Sequence, residues 1–452
     1  MSSQSKKYSR RDFLRTAAVG AGLAAVGGIT SACQPTAAPT TAPAAPTEAP
    51  AAPTEAPATA EQVTVTYWKS AHSLHEEERM GEVIADFEAL HPDIKIEHNI
   101  TAWDTWDETY SAAFAGGSPP DVSYMPDQFY FKYAEAGQLA DLGPYVDDPS
   151  YESEREAWFK GAWDLGNWRG TQVGIPNIAT MYFIYGNKTA FEEAGLDISK
   201  PPASYDELAE YATVMTKPDG EQWGYVSGLS FANQGVFAGM AYFHDNGANF
   251  LNETYDGPGF DNEGGVTALA FLSSLVCEHK VDPPMGSFDR AGNLDLFRGG
   301  KAGMLMEEVS QHGDFKTQDL GFEYDIFLQP PGSEGQSSFG NFGYFMISEA
   351  AKHKDAAWEF IKYITSGPVL GAWTELHGFA MMRGDVELYK DDPIYAKAQK
   401  EVAPYIQGFQ AHPQIREIQS AMWGEFEGAL SCQRSAEESI KAAAEAVQRV
   451  LA

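Results

Sequence analysis

Residues 168–188 read WRGTQVGIPNIATMYFIYGNK, two apolar pieces with a short polar kink between them. The first, Thr171 to Ile175, is closed by Pro176 and Asn177, and because proline has no amide hydrogen for a ladder, regular pairing is expected to end there. The second, Met181 to Tyr185, is aromatic and β-branched and stops at the turn signal Gly186–Asn187. Two strands in line with a break between them can carry a chain from one domain into another. A hairpin arm inside one sheet fits the same residues, and the stretch alone leaves both open.

On its N-terminal side, Gln62 to Trp68 alternates Val63, Val65 and Tyr67 with polar residues, which predicts a strand. Met80, Val83, Ile84, Phe87 and Leu90 then share one helical face, ended near Pro92. Ile94, Ile96 and Ile100 predict a second strand. Trp103, Trp106, Tyr110 and Phe114 predict a helix stopped by Gly116, Gly117, Pro119 and Pro120 before the strand DVSYM. Strand alternating with helix is the pattern of a parallel α/β sheet, which binds ligands at the carboxyl ends of its strands. Trp68, Ser70 and the loop after Met125 are therefore placed at a candidate cleft. Beyond Lys188 the pattern continues, with helices predicted over 205–216, capped by Ser204 with Glu207 completing a capping box, and over 266–276 and 354–365. A chain of 452 residues is expected to form two to three domains.

The first 32 residues are expected to lie outside the fold. Lys6, Lys7, Arg10, Arg11 and Arg15 precede a small-residue apolar run from Ala17 to Ile29, too short to span a membrane stably. SRRDFL resembles the twin-arginine export signal. ITSAC is similar to a bacterial lipobox, with Thr30 where an aliphatic residue is usual, so Cys33 is expected to carry a lipid. Residues 34–61 hold seven prolines among Ala, Thr and Glu, a composition that builds no core and reads as a tether.

The formal charge of −33 becomes −37 once residues 1–32, with five basic side chains and Asp12, are removed. Nucleic acid and anionic membrane surfaces are excluded as partners on that ground, leaving the lipid as the only expected membrane contact. Cys277 and Cys432 could pair, since an exported chain meets oxidising conditions, but sequence shows no proximity and two separately buried thiols are the expected reading. His72 and His75 precede three glutamates without forming HExxH, GPGFDNEGG does not complete GxGxxG, Lys301 lacks P-loop spacing, and no GxSxG occurs. No catalytic residue, cofactor or metal is expected.

AAFAGGSPPDVSYMPDQFYFKYAEAGQLADL resembles the signature of the family 1 extracellular solute-binding proteins, the carbohydrate-type receptors of ABC importers. GTQVGIPNIATMYFIYGNKTAFEEAGLD resembles the crossover that follows it there, and PPASYDELAEYATVMT, FRGGKAGMLM and GNFGYFMISEAAKHKDAAWEFIKYITS continue in the family's order. The resemblance implies an α/β fold of two lobes with discontinuous sequence, 62–177 plus 344–375 and 178–343 plus 376–452. It implies a monomeric receptor that captures a sugar or oligosaccharide between closing lobes and delivers it to the permease. Two alternatives stay open: the same fold holding a polyamine or other cation, and an exported glycan-acting enzyme. Candidate ligand contacts are Trp68, Ser70, Asp127, Asn177, Tyr182, Phe231, Glu307, Asn341 and Trp423. Trp423 is the leading stacking ring, because Gly424 marks a break beside it, and Trp68 is its partner. Asp127 also fits a helix cap before QFYFKYAEAG.

Overall fold

The computed structural model describes residues 62–72, 76–230 and 235–452. The export signal, Cys33, the tether, His75 and Phe231 lie outside the described residues.

Val63–Ser70 (β1), Ile94–Thr101 (β2) and Val122–Pro126 (β3) form as their alternation predicts. β1 pairs in parallel with both β2 and β3. Ile175–Ala179 (β4) belongs to the same sheet, whereas Tyr182–Asn187 (β5) belongs to a second sheet with Trp223–Val226 (β6), Ala302–Glu308 (β7) and Tyr324–Phe327 (β8). After the short Ser338–Phe339 (β9), Phe342–Ile347 (β10) returns to the first sheet and lies antiparallel to β3 and β4. Ala380–Met381 (β11) adds an edge to that sheet, and Ile406–Gln407 (β12) pairs in parallel with β9. The first sheet therefore runs β11-β4-β10-β3-β1-β2 and the second β8-β5-β7-β6, both of mixed direction.

The strand carrying Pro176 does not stop at it. Phe342 opposes Ala179 and Tyr344 opposes Pro176, so Asn177 and Ile178 together stand opposite Gly343. This is a bulge, one of the places where a sheet accommodates proline's missing donor. The change of sheet comes at Thr180 and Met181, and Gly186 and Asn187 complete β5 instead of ending it. Likewise β11 pairs with the first sheet although the resemblance groups 376 onward with the second lobe.

Helices cover both sheets. Glu76–Leu90 (α1) buries Met80, Val83, Ile84 and Phe87 but leaves Leu90 67% exposed. Trp106–Ala115 (α2) and Asp127–Glu135 (α3) follow β2 and β3. In the second lobe Gly235–His244 (α4), buried from Gly235 through Phe243, packs with Glu263–Cys277 (α5). Arg290–Arg298 (α6) and Gln311–Lys316 (α7) flank β7. Lys354–Ile364 (α8) and Gly367–His377 (α9) return to the first sheet, and Pro393–Glu401 (α10), Ile415–Leu430 (α11) and Ala436–Leu451 (α12) end the chain. The last cap is a full box: Ser435 accepts from the Glu438 amide while the Glu438 carboxylate accepts from the Ser435 amide.

Cys277 and Cys432 form a disulfide where separate thiols are expected. They lie 155 positions apart, and the packing of α5 against α11 and α12 brings them together. Spacing along the chain carries no trace of that approach.

Candidate functional site

Within the described residues the chain passes between the two lobes at three places that lie side by side. Thr180 N donates to the Asn341 carbonyl, and Asn341 N donates to Thr180 Oγ1, each at 2.9 Å. Gly340 N donates to the Gln407 carbonyl at 3.0 Å. Gly340 must be glycine, because a Cβ there would sit 2.0 Å from the Thr180 carbonyl oxygen. These crossings put the carboxyl ends of β3, β4 and β7 and the amino ends of β5 and β10 around one region.

On the first-lobe side, Lys69 at the end of β1 is fully buried. Its ammonium pairs with Glu76 Oε1 at 2.6 Å and donates to the Ser70 carbonyl at 3.1 Å. It also lies 2.6 Å from His72 Nδ1 and about 5 Å from the Tyr124 and Trp373 rings. An ammonium can only donate, so Nδ1 accepts and the imidazole proton sits on Nε2. Burial, with Lys69 and His377 adding to it, holds His72 well below the usual imidazole range. Burial lowers Lys69 to about 8 while Glu76 works the other way. The His72 ring meets Trp103 at 5.5 Å, Tyr124 at 5.0 Å and Phe379 at 5.1 Å. Trp103 is 40% exposed and anchored by its indole N–H on the Ala71 carbonyl at 2.7 Å. One rim of the site is thus an aromatic face held from behind.

On the second-lobe side, Arg290 of α6 grips Glu307 with two bonds, Nε to Oε2 at 3.1 Å and Nη2 to Oε1 at 2.7 Å, and reaches Glu308 at 3.4 Å. Ser310 Oγ donates to Glu308 Oε1. Burial raises the Glu307 carboxyl while Arg290 opposes the shift. Tyr182 stacks on Phe237 with centroids 5.6 Å apart.

The candidates from sequence fall unevenly on this frame. Ser70 is buried, its hydroxyl 2.8 Å from Thr101 Oγ1. Trp68, its neighbour but one, lies edge-on to Tyr110 under α2, on the opposite face of β1 from Lys69. Asn177, in the bulge, is buried with neither amide atom hydrogen-bonded among the described residues. It stands opposite Gly343, whose missing side chain makes room for the Tyr124 hydroxyl. Asp127 and Asn341 are bonded to each other across the crossings. Trp423 is wholly buried in the second lobe: its N–H donates to the Leu229 carbonyl at 2.8 Å, and its ring fills the space left by Gly239 beside Phe243 and Phe426. Gly424 interrupts nothing, because α11 runs straight through it. A ring packed on all sides cannot offer a face to a ligand.

Trp103, His72 and Arg290 were reachable only in part from sequence. The helical spacing Trp103–Trp106–Tyr110 hides that residues 103–105 form a separate 3-10 turn that leaves Trp103 outside the helix. The remaining signal is position, directly after the strand ending at Thr101.

A two-lobed α/β body joined by adjacent crossings, with its strand ends turned to one region, defines a hinged solute receptor. The chain belongs to the bacterial extracellular solute-binding proteins, whose family model matches residues 71–367. It is 24% identical over 303 residues to a binding protein of Brucella abortus, covering 66% of this chain and 71% of the relative. A maltotriose-binding protein of Pyrococcus abyssi is 22% identical over 356 residues, 76% of this chain and 72% of the relative. The structure of the cyclic alpha-maltosyl-1,6-maltose binding protein from Arthrobacter globiformis matches with a TM-score of 0.75 at 21% identity, over 86% of this chain and 99% of that one. The two-lobed fold is thereby shared with solved sugar-binding proteins.

Proposed function

We propose that this chain is the lipid-anchored receptor of an ABC importer and that it captures a sugar or oligosaccharide between its lobes without chemical change, as a monomer. The observation that carries this reading is the make-up of the two clusters, one on each lobe. The first lobe presents the half-exposed Trp103 face beside His72, and the second presents Arg290 already neutralised by Glu307 and Glu308. A pyranose has apolar C–H faces and a belt of hydroxyls, so a ring can cover the first while charge-paired donors and acceptors bond the second. An anionic ligand would meet carboxylates that already engage the guanidinium. Relatives named for maltotriose and cyclic maltosyl-maltose support the saccharide class.

The proposed contacts are Trp103, His72, Tyr182, Arg290, Glu307 and Glu308, with Ser70 and Asn177 behind them. The lipid would be carried by Cys33, delivered through the twin-arginine signal. Among the described residues no helix is long and apolar enough to cross a membrane. A thermal-shift screen of the mature protein against maltooligosaccharides, spermidine and amino acids tests the ligand class, because a ligand bound only by the folded form raises Tm. A shift with spermidine and none with sugars would overturn it. Replacing Cys33 with Ala should move the protein into the soluble fraction, and unchanged membrane retention would reject the anchor.

A further inference from the structure

Asp127 opens α3 in the first lobe and is fully buried. Its Oδ2 accepts the N–H of Phe409 at 3.3 Å, and Oδ1 accepts Gln128 N at 2.9 Å and Asn341 Nδ2 at 3.3 Å. Asn341 Nδ2 also donates to Gln128 Oε1 at 2.9 Å, and its backbone exchanges both bonds with Thr180. One carboxylate therefore ties the end of a first-lobe helix to two of the three crossings, and through Asn341 to the third. Phe409 itself belongs to the second lobe, its ring set among Phe237, Phe250 and Phe339. Gly408 allows the approach, since a Cβ there would lie 2.8 Å from Asp127 Oδ2 and 2.7 Å from the Phe342 ring. The Asp127–Phe409 bond thus bridges the two lobes beside the crossings about which one would rotate against the other.

We infer that Asp127 is a positioning residue of the hinge: as a carboxylate it holds the three crossings in the arrangement seen here, and as a carboxylic acid it lets the lobes redistribute. The reason is chemical. An ionised acceptor bonds an N–H about twice as strongly as a neutral one, and a protonated carboxyl must also find an acceptor for its own hydrogen. The titratable groups facing Asp127 are Tyr124 on β3, Tyr130 on α3 and Tyr344 on β10, all held far above neutrality by burial. Arg416 of α11 lies over Phe129 of α3. Burial raises Asp127 to about 7, while its bonds to Phe409, Gln128 and Asn341 pull the other way. The switch would thus operate within the pH range that an exported receptor meets.

The inference rests on the receptor reading only in assuming that the lobes move, so its test uses no ligand. Spin labels on Glu97 in the first lobe and Glu210 in the second would report the interlobe distance distribution of the mature, ligand-free protein from pH 5.5 to 8.5. The wild type should shift with a midpoint near neutrality. Asp127→Asn should lose the pH dependence and resemble wild type at low pH, and Asn341→Ala should shift the balance while keeping the pH dependence. A wild-type distribution constant across that range overturns the inference, as does an Asp127→Asn protein that titrates like wild type. Should Asp127→Asn not fold, the wild-type titration and Gly408→Ala, which forces a methyl against Oδ2, decide the matter. Ligand screening that fails for sugars would leave this result standing.

Discussion

The carboxyl ends of β1 and β7 both gather opposite charges, and they are built differently. Lys69 and Glu76 are 0% and 1% exposed, caged by Tyr124, Trp373 and His72. Arg290 and Glu308 are 31% and 16% exposed and stand at an open rim. A sealed pair can only hold structure, because neither partner can trade its bond for one to a solute. A half-open pair keeps donors and acceptors that a hydroxyl can share. The same contrast separates two of the ten tryptophans, Trp423 in the core and Trp103 at the rim.

The largest effect is expected on the sealed side. Lys69→Met should cost ~3–5 kcal/mol of folding stability, because it leaves the Glu76 carboxylate buried without its cation. Adding Glu76→Leu should recover most of the loss, since an apolar pair of similar volume needs no compensation. Denaturant titration of both variants checks this, and a loss under about 1 kcal/mol for Lys69→Met would erase the distinction. Trp423→Ala should likewise lower stability by ~3–5 kcal/mol through its cavity and leave affinity unchanged.

On the open side, Trp103→Ala should weaken saccharide binding by ~1–3 kcal/mol, the order of a lost aromatic contact, with a much smaller change in Tm. Calorimetric titration that finds equal affinity for variant and wild type would remove Trp103 from the site.

Acid probes the interior again, with a smaller reading. Burial lowers His244 to about 4, and among the described residues neither ring nitrogen finds a hydrogen-bond partner. The unfolded chain therefore binds this proton more readily, so stability is full above the ordinary imidazole value of about 6.5 and is lost as pH falls toward 4. His244→Phe should lose less Tm than wild type between pH 7 and 4.5. An equal loss would assign the acid sensitivity elsewhere.

Much of the first lobe was legible because its signals are local. The alternation in 63–68 and the spacing of Met80, Val83, Ile84 and Phe87 each describe one element and its buried face. The misreadings come where one residue answers to two elements. Pro176 looks like a stop until the partner strand supplies a bulge, and Thr180, where the sheets part, is neither glycine nor proline. Gly424 looks like a break but lies inside a helix whose neighbours decide its course. Asp127 fits a ligand contact and a helix start equally well, and only the arrival of Phe409, 282 positions later, shows a third partner.

The Cys277–Cys432 bond has a topological consequence. The covalent ring it closes contains the whole excursion of the chain through β10, α8, α9 and β11 of the first sheet, together with two of the three crossings. A protease that nicks any exposed turn of that excursion would not release a fragment from oxidised protein, because both pieces stay joined through sulfur. The nicked chain should migrate as two bands on a reducing gel and as one on a non-reducing gel, and the receptor would tolerate a cut backbone while its thiols remain oxidised.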